Sequence, residues 1–335
     1  MQYGTIPGVE RPVSRILFGT ATPILFNAFR SVYGEAPDFP QRLNAAFDLL
    51  DTMYALGINA FDCADHYGEE PLGEWLEARG LHDKCVILTK GAHHNRWRKR
   101  VTDFDILYDC HNSLAKLKTS HIQLYLLHRD DPQVPVGPIM ETLNRLHAEG
   151  KIGVFGASNW TMERMMEANE YAYKHGLVPF TVSSPNFGLA NQLDDPWGGG
   201  CVTISGPQNR TVRAWYRDNH IPIMAYSALG RGFFSGAFRH DQPEKAAALL
   251  DQAARKGYDY PENYERLRRC EILAQEMGVS VSQIAMAWIF NQPGLEVYAL
   301  SGATSKAHMQ ANIDAADIRL TPRQCEWLDL EREDC

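Results

Sequence analysis

Short apolar runs rich in Ile, Val and Leu alternate with longer amphipathic stretches along this chain. The runs at residues 58–62, 86–90, 122–128, 152–156, 180–183, 221–226 and 297–300 read as strands, with a first strand at 16–18. Between them, residues 43–56 place Ala46, Leu49, Leu50 and Met53 at helical spacing. Residues 104–117, 138–149, 162–174 and 208–219 behave likewise. A strand followed by a helix, repeated about eight times, predicts a parallel sheet with crossover helices. At 335 residues its natural form is a closed (β/α)8 TIM barrel, and no linker divides the chain, so residues 1–335 are expected to form a single domain.

Two stretches break the rhythm. Residues 191–207 read NQLDDPWGGGCVTISGP, with three consecutive glycines and two prolines that rule out a long regular element. Residues 239–263 are a second irregular stretch. Both follow late strands, where a barrel carries its functional loops, so both are expected as long substrate-side loops over the active-site face.

Composition narrows the class. With 44% hydrophobic and 22% charged residues, a large buried core is available and global disorder is excluded. A net charge of -8 argues against nucleic acid as a partner. The first residues lack the pattern of a signal peptide, and no apolar run reaches membrane-spanning length. The seven cysteines are scattered without a CxxC pair, which suits reduced thiols in a cytoplasmic protein. No metal is expected: His93-His94 has no third ligand spaced near it. The run Arg96-Trp97-Arg98-Lys99-Arg100 reads as a solvated loop or a rim for an anionic substrate. No heptad or apolar stripe indicates an oligomeric state.

The chemistry gathers at strand ends. Asp62, Lys90 and His128 close three consecutive runs, and Tyr67 follows Asp62 by a five-residue step. Ionisable residues at successive strand C-termini are the pattern of a barrel active site. These types suit carbonyl reduction, in which hydride arrival leaves negative charge on oxygen and a proton must be supplied. Tyr67 is the candidate donor. A nearby Lys90 ammonium is expected to lower its pKa from about 10. Asp62 would keep Lys90 charged and oriented, and His128 would hydrogen-bond the carbonyl oxygen.

The segments FDCADHYG, VILTKG, LYLLHRDD, GKIGVFGASNW, IPIMAYSALGRGFFSG and SGATSKAHMQAN, in this order, resemble the successive landmarks of aldo-keto reductases. The resemblance runs from Gly19-Thr20 to Asn312 and implies a (β/α)8 barrel with Asp62, Tyr67, Lys90 and His128 as its catalytic residues. It also implies a nicotinamide cofactor, NADPH ahead of NADH. By the same comparison Gly19 and Thr20 lie on the cofactor side, and Ser158 and Asn159 hold the carboxamide. Phe187 stands where the family has a ring-stacking Tyr, and Ser184 where a Gln is usual. Tyr226, Ser227, Leu229, Gly230 and Arg231 match the pyrophosphate loop, with Ala228 in place of a common Pro. Gly302, Thr304 and Lys306, leading into a helix, match the adenosine-phosphate site. Thr304 stands where many relatives have Arg, and His308 and Asn312 fall on the adenine side.

His93, Trp97, Trp160 and Trp197 are candidates for the substrate pocket. Trp beside polar side chains suits a sugar or polyol-like carbonyl, although the same residues could simply pack loops. The implied activity is NADP-dependent reduction of a small-molecule aldehyde or ketone. Alternatives are the same site run as an NAD(P)-dependent sugar or alcohol dehydrogenase, and a non-catalytic NADPH-binding sensor.

Overall fold

The computed structural model describes residues 1–29 and 37–335. Eight strands, Ile16–Gly19, Ala60–Asp62, Val86–Gly91, Ile122–Leu127, Ile152–Ser158, Val182–Ser184, Ile223–Ala225 and Val297–Ser301, follow one another around a closed barrel. The TIM-barrel expectation holds, including its first strand. Two further strands, Tyr3–Gly4 and Val13–Ser14, pair antiparallel ahead of it.

The strands read as unbroken apolar runs because both their faces are covered. All six residues of Val86–Gly91 are buried. The helices begin and end on local signals. Asp103–Lys116 starts where the Thr102 side chain accepts from the Asp105 N–H at 3.3 Å, carries Asp103 and Asp105 in its first turn, and has Lys116 in its last. Its buried face holds Ile106, Cys110 and Leu114.

Two compact units make up the chain. One comprises residues 1, 3–183 and 302–306, and the other residues 2, 184–301 and 307–335. In the first, Phe61 lies 5.2 Å from Trp75, ring centre to ring centre, and both are buried. In the second, Phe187, Phe233, Ile284, Trp288 and Trp327 share one apolar cluster. Buried Arg266 donates to Asp329 Oδ1 at 3.1 Å there.

Residues 191–207 are irregular, as expected. They are tied internally: Asp195 accepts from the N–H groups of Trp197 and Cys201, both at 2.8 Å, across the glycine run. The expectation for residues 239–263 fails. Helices Pro243–Leu249 and Gln252–Tyr258 occupy it, and Pro261–Met277 begins within it. The reason is local. Pro243 and Pro261 sit at helix starts, where a missing N–H costs nothing, and the Asp251 carboxylate caps Ala254 N at 2.7 Å.

Strand register sets the active face. Asp62 lies opposite Leu88, Leu88 opposite Leu124, Lys90 opposite Leu126, and Leu126 opposite Gly156. Parallel partners share a face, and side chains two residues apart share it too. Asp62, Lys90, His128 and Ser158 therefore fall on one face. Lys90 stands two residues beyond the partner of Asp62 and His128 two beyond the partner of Lys90, so the series climbs in two steps, with Ser158 level with His128. Gly156 lets this region close: a Cβ there would stand 1.8 Å from the Val182 carbonyl oxygen. Gly156→Ala is expected to destabilise the protein by roughly 3 kcal/mol, because backbone must move to admit the methyl. Urea denaturation of both proteins checks this; an unchanged midpoint would contradict the close approach.

Candidate active site

Lys90 is the hub of the site. Its ammonium donates to Asp62 Oδ1, to the Cys63 carbonyl at 3.0 Å and to the Tyr67 hydroxyl at 2.9 Å. Lys90 and Asp62 are both buried. The flexible four-carbon stem of lysine lets a residue two positions past Leu88 reach back to Asp62. The Tyr67 hydroxyl also lies 3.5 Å from Asp62 Oδ2.

A tight turn returns Tyr67 to this hub. Ala64 and Tyr67 exchange backbone hydrogen bonds of 3.0 and 2.9 Å. Gly68 follows with φ 75°, a conformation that strains any side chain, and a Cβ there would stand 1.8 Å from Thr20 Oγ1. Thr20 is held in turn by donation to the Asp62 carbonyl at 2.8 Å. Thus Thr20, expected on the cofactor side, braces the Asp62–Tyr67 turn.

Burial governs the electrostatics. It pushes the Tyr67 hydroxyl well above the usual tyrosine pKa, with the Asp62 charge adding to the rise. The expectation that the Tyr67 pKa lies below its usual value fails, because burial and Asp62 outweigh the pull of Lys90. The Lys90 charge is already compensated by Asp62, whose carboxylate also faces the hydroxyl. Burial raises Asp62 as well, against the pull of Lys90. Burial and the Lys90 charge hold His128 well below the ordinary histidine range, so its ring is neutral near pH 7.

Three histidines meet beside the hub. Ring centres of His66 and His93 lie 4.4 Å apart, those of His66 and His128 5.2 Å, and those of His93 and His128 4.8 Å. Burial and neighbouring His66 push His93 down to about 4. No third histidine is spaced near His93-His94 in the sequence, but the fold brings His66 and His128 beside His93. His66 and His128 come from other strand ends, at separations that local motif spacing does not detect. Asp109 fixes the segment bearing His93, accepting from Ala92 N at 2.8 Å and from Arg100 at 2.5 Å. A cleft of about 370 Å³ opens here, lined by His66, His93, His94, Asn95, Arg100 and Lys116 among others.

The substrate candidates separate. His93 lines the cleft. Trp97 does not: it is 74% exposed, with the Arg96 guanidinium over its ring. Trp160 is buried instead, edge-on to Phe180 and donating to the Arg129 carbonyl at 3.3 Å. The φ of 59° at Asn159 turns the chain just before it. Trp197, in the second unit, lies near Tyr226 and under the Arg231 guanidinium. The basic run is largely ion-paired: Arg98 binds Asp105, Arg100 binds Asp109, and Lys99 faces Asp131.

On the cofactor side, Asn159 donates to the His128 carbonyl at 3.2 Å and to Ser158 Oγ at 3.0 Å. Both residues are buried, on the face of Lys90 and His128 and just beyond it. Gly19 ends its strand opposite Asp62, and Gly302 approaches it. In the second unit, Ser227, Gly230, Arg231 and Gly232 all have positive φ, and no atom stands within 4 Å of where a Gly232 Cβ would be. This open turn, with Leu229 half-buried within it, fits close approach of an anionic group. Arg231 is engaged by Asp251 at 2.5 Å. Ser184 donates to the Met224 carbonyl at 2.8 Å. Phe187 is fully buried against Trp288, so the stacking role expected for it has no free ring face; the second unit's apolar cluster has taken it. Thr304 is exposed, and Lys306 opens the helix Lys306–Asp314, whose N-terminus favours a phosphate electrostatically. His308 is exposed on it, while Asn312 is buried and donates to Ser301 Oγ at 3.0 Å.

A closed parallel barrel with an Asp–Lys–Tyr hub and a neutral His at its strand ends has the form of a barrel enzyme. The Aldo/keto reductase family model matches residues 35–330, and the chain belongs to that family of oxidoreductases. It is 28% identical over 314 residues to an aryl-alcohol dehydrogenase [NADP(+)] of Phanerodontia chrysosporium, covering 85% of this chain and 75% of that protein. It is 26% identical over 264 residues to the aldo-keto reductase YhdN of Bacillus subtilis strain 168, covering 76% and 73%. The solved glycerol dehydrogenase of Gluconobacter oxydans superposes with a TM-score of 0.72 at 22% identity, covering 98% of this chain and 94% of that one. No helix among the described residues is long and apolar enough to cross a membrane.

The buried pair makes a stability prediction. Lys90→Met leaves the Asp62 carboxylate without its cation and is expected to cost about 3–5 kcal/mol. Adding Asp62→Asn is expected to restore part of that loss. Denaturation of the two single variants and the double variant measures the coupling; strictly additive losses would show that the pair is not coupled.

Proposed function

We propose that this chain reduces an aldehyde or ketone to an alcohol, with Tyr67 as proton donor and NADPH as the cofactor. The observation that carries this reading is the Lys90 ammonium, which binds Asp62 and the Tyr67 hydroxyl at once. NADPH, when bound, supplies hydride to the carbonyl carbon. Ser158 and Asn159 are the residues that would hold its carboxamide. Residues 302–306 with the following helix would take its phosphate end. The preference for NADPH rests on Thr304, Ser305 and Lys306 and on the NADP(+) in the name of a relative.

Tyr67 is kept protonated by burial, so it has a proton to give across the neutral range. The alkoxide left by hydride arrival is a far stronger base, and transfer from the phenol runs downhill. Lys90 stabilises the phenolate that remains, and Asp62 keeps Lys90 in place. Neutral His128 presents an N–H to the carbonyl oxygen and orients it. This assembled hub supports catalysis over a sensor role. Direction in the cell follows the cofactor ratio, so the same residues would serve a dehydrogenase.

The Trp argument for a sugar does not survive, since Trp97 is turned to solvent and Trp160 is in the core. The polar lining of the cleft at His66, His93, His94, Asn95 and Arg100 favours a hydroxyl-rich or polyol-like carbonyl on separate grounds. The seven unbridged cysteines support a reducing, cytoplasmic setting.

Tyr67→Phe is expected to retain cofactor binding, followed by quenching of protein fluorescence. It should lose carbonyl reduction by about 10²–10⁴-fold. Undiminished turnover would sink the assigned donor. The raised Tyr67 pKa sets the sign of the pH dependence: the donor is active when protonated, so kcat/KM for reduction should hold through neutral pH and fall only above about pH 10. A decline already complete by about pH 8 would contradict it.

A further inference from the structure

We propose that His66, His93 and His128 form a three-imidazole site for a divalent transition-metal ion, best suited to Zn²⁺, and that this ion competes with the carbonyl substrate for His128. One potential ligand nitrogen from each ring lies within 4.8 Å of the other two. A tetrahedral zinc, with Zn–N near 2.0–2.1 Å, needs its nitrogens about 3.4 Å apart. His66 is exposed and has room to rotate toward the other two rings.

Hydrogen bonds already select the tautomers that a metal requires. His66 Nδ1 lies 2.9 Å from Asp65 Oδ1, and His93 Nδ1 lies 2.8 Å from the His94 carbonyl oxygen. A carboxylate and a carbonyl only accept, so each Nδ1 carries the hydrogen and each Nε2 keeps its lone pair. A carboxylate or carbonyl behind the far nitrogen is how metal-binding imidazoles are oriented and made more basic. His128 adds an independent sign. Its Nδ1 is buried with no hydrogen-bond partner among the described residues.

Carboxylates stand close to the set, and the Lys90 and Arg129 charges beside it act against a cation. Lys90 is compensated by Asp62, and Arg100 by Asp109 and Asp105, while Asp65 stands behind His66. Three imidazoles without thiolate suit Zn²⁺, Co²⁺ or Cu²⁺, and they leave a fourth position for water or a small ligand. The backbone holds the set together: Asp65 N donates to the Lys90 carbonyl at 2.9 Å, and His128 N to the Gly91 carbonyl at 2.7 Å. The three residues thus come from adjoining strand ends stitched to the strand that carries the hub.

Metal binding stands apart from the carbonyl-reduction reading; the competition rests on it. The test titrates the full-length protein with Co²⁺ and follows the visible absorption of a low-symmetry Co²⁺ site. The expected result is saturable binding of one equivalent, weakened at least about tenfold in His66→Gln and in His93→Gln and retained in His94→Gln. His66 is exposed, so its variant is expected to fold, and a thermal melt confirms that it has. Absence of saturable binding, or equal affinity in wild type and both variants, overturns the site even if the protein proves to be no reductase. For competition, Zn²⁺ should raise KM for the carbonyl and leave kcat unchanged, be reversed by chelator, and act less on His66→Gln. Inhibition that lowers kcat alone, or is identical in His66→Gln, overturns the competition.

Discussion

The buried ion pair between Lys90 and Asp62 is the constraint on which the rest of the site depends. An ammonium and a carboxylate withdrawn from water lose several kcal/mol of hydration each, recovered only if geometry is good and the remaining hydrogen-bonding capacity is filled. Here it is filled by the Cys63 carbonyl and the Tyr67 hydroxyl. The groups that satisfy the pair electrostatically are therefore also the groups that would do chemistry. The fold cannot keep the pair without also fixing the phenol.

Around that pair, the local structure serves placement. The Ala64–Tyr67 turn, the positive φ of Gly68 and the brace from Thr20 bring a loop tyrosine back over a strand end. Asp109 and Arg100 hold the segment after Lys90, and that segment presents His93 to His66 and His128. A polar cleft thus opens beside the imidazoles of His66 and His93. The second unit has its own order: irregular residues 191–207 closed by Asp195, and a turn of positive-φ residues from Ser227 to Gly232.

Much of this was legible in the chain. Eight apolar runs predicted eight barrel strands, since a parallel strand buried on both faces must be apolar throughout. The ionisable residues ending those runs pointed to Asp62, Lys90 and His128, and the structure puts them on one face. The aromatic assignments failed where burial decided. Trp160 and Phe187 look alike in sequence whether a ring faces a ligand or the core, and packing against Phe180 and Trp288 made both core. Residues 239–263 were expected to be irregular, yet Pro243 and Pro261 begin helices there.

The sequence by itself determined the barrel, the order of its strands and the identity of the hub. Those follow from hydrophobic periodicity and from polar residues placed where apolar runs stop. Only the tertiary structure decided the sign of the Tyr67 shift, because that depends on whether burial and Asp62 outweigh a lysine whose charge is already met. It alone assembled the three histidines: ligand geometry is a matter of distance in space, and residues 66, 93 and 128 become neighbours only when adjacent strands align their ends.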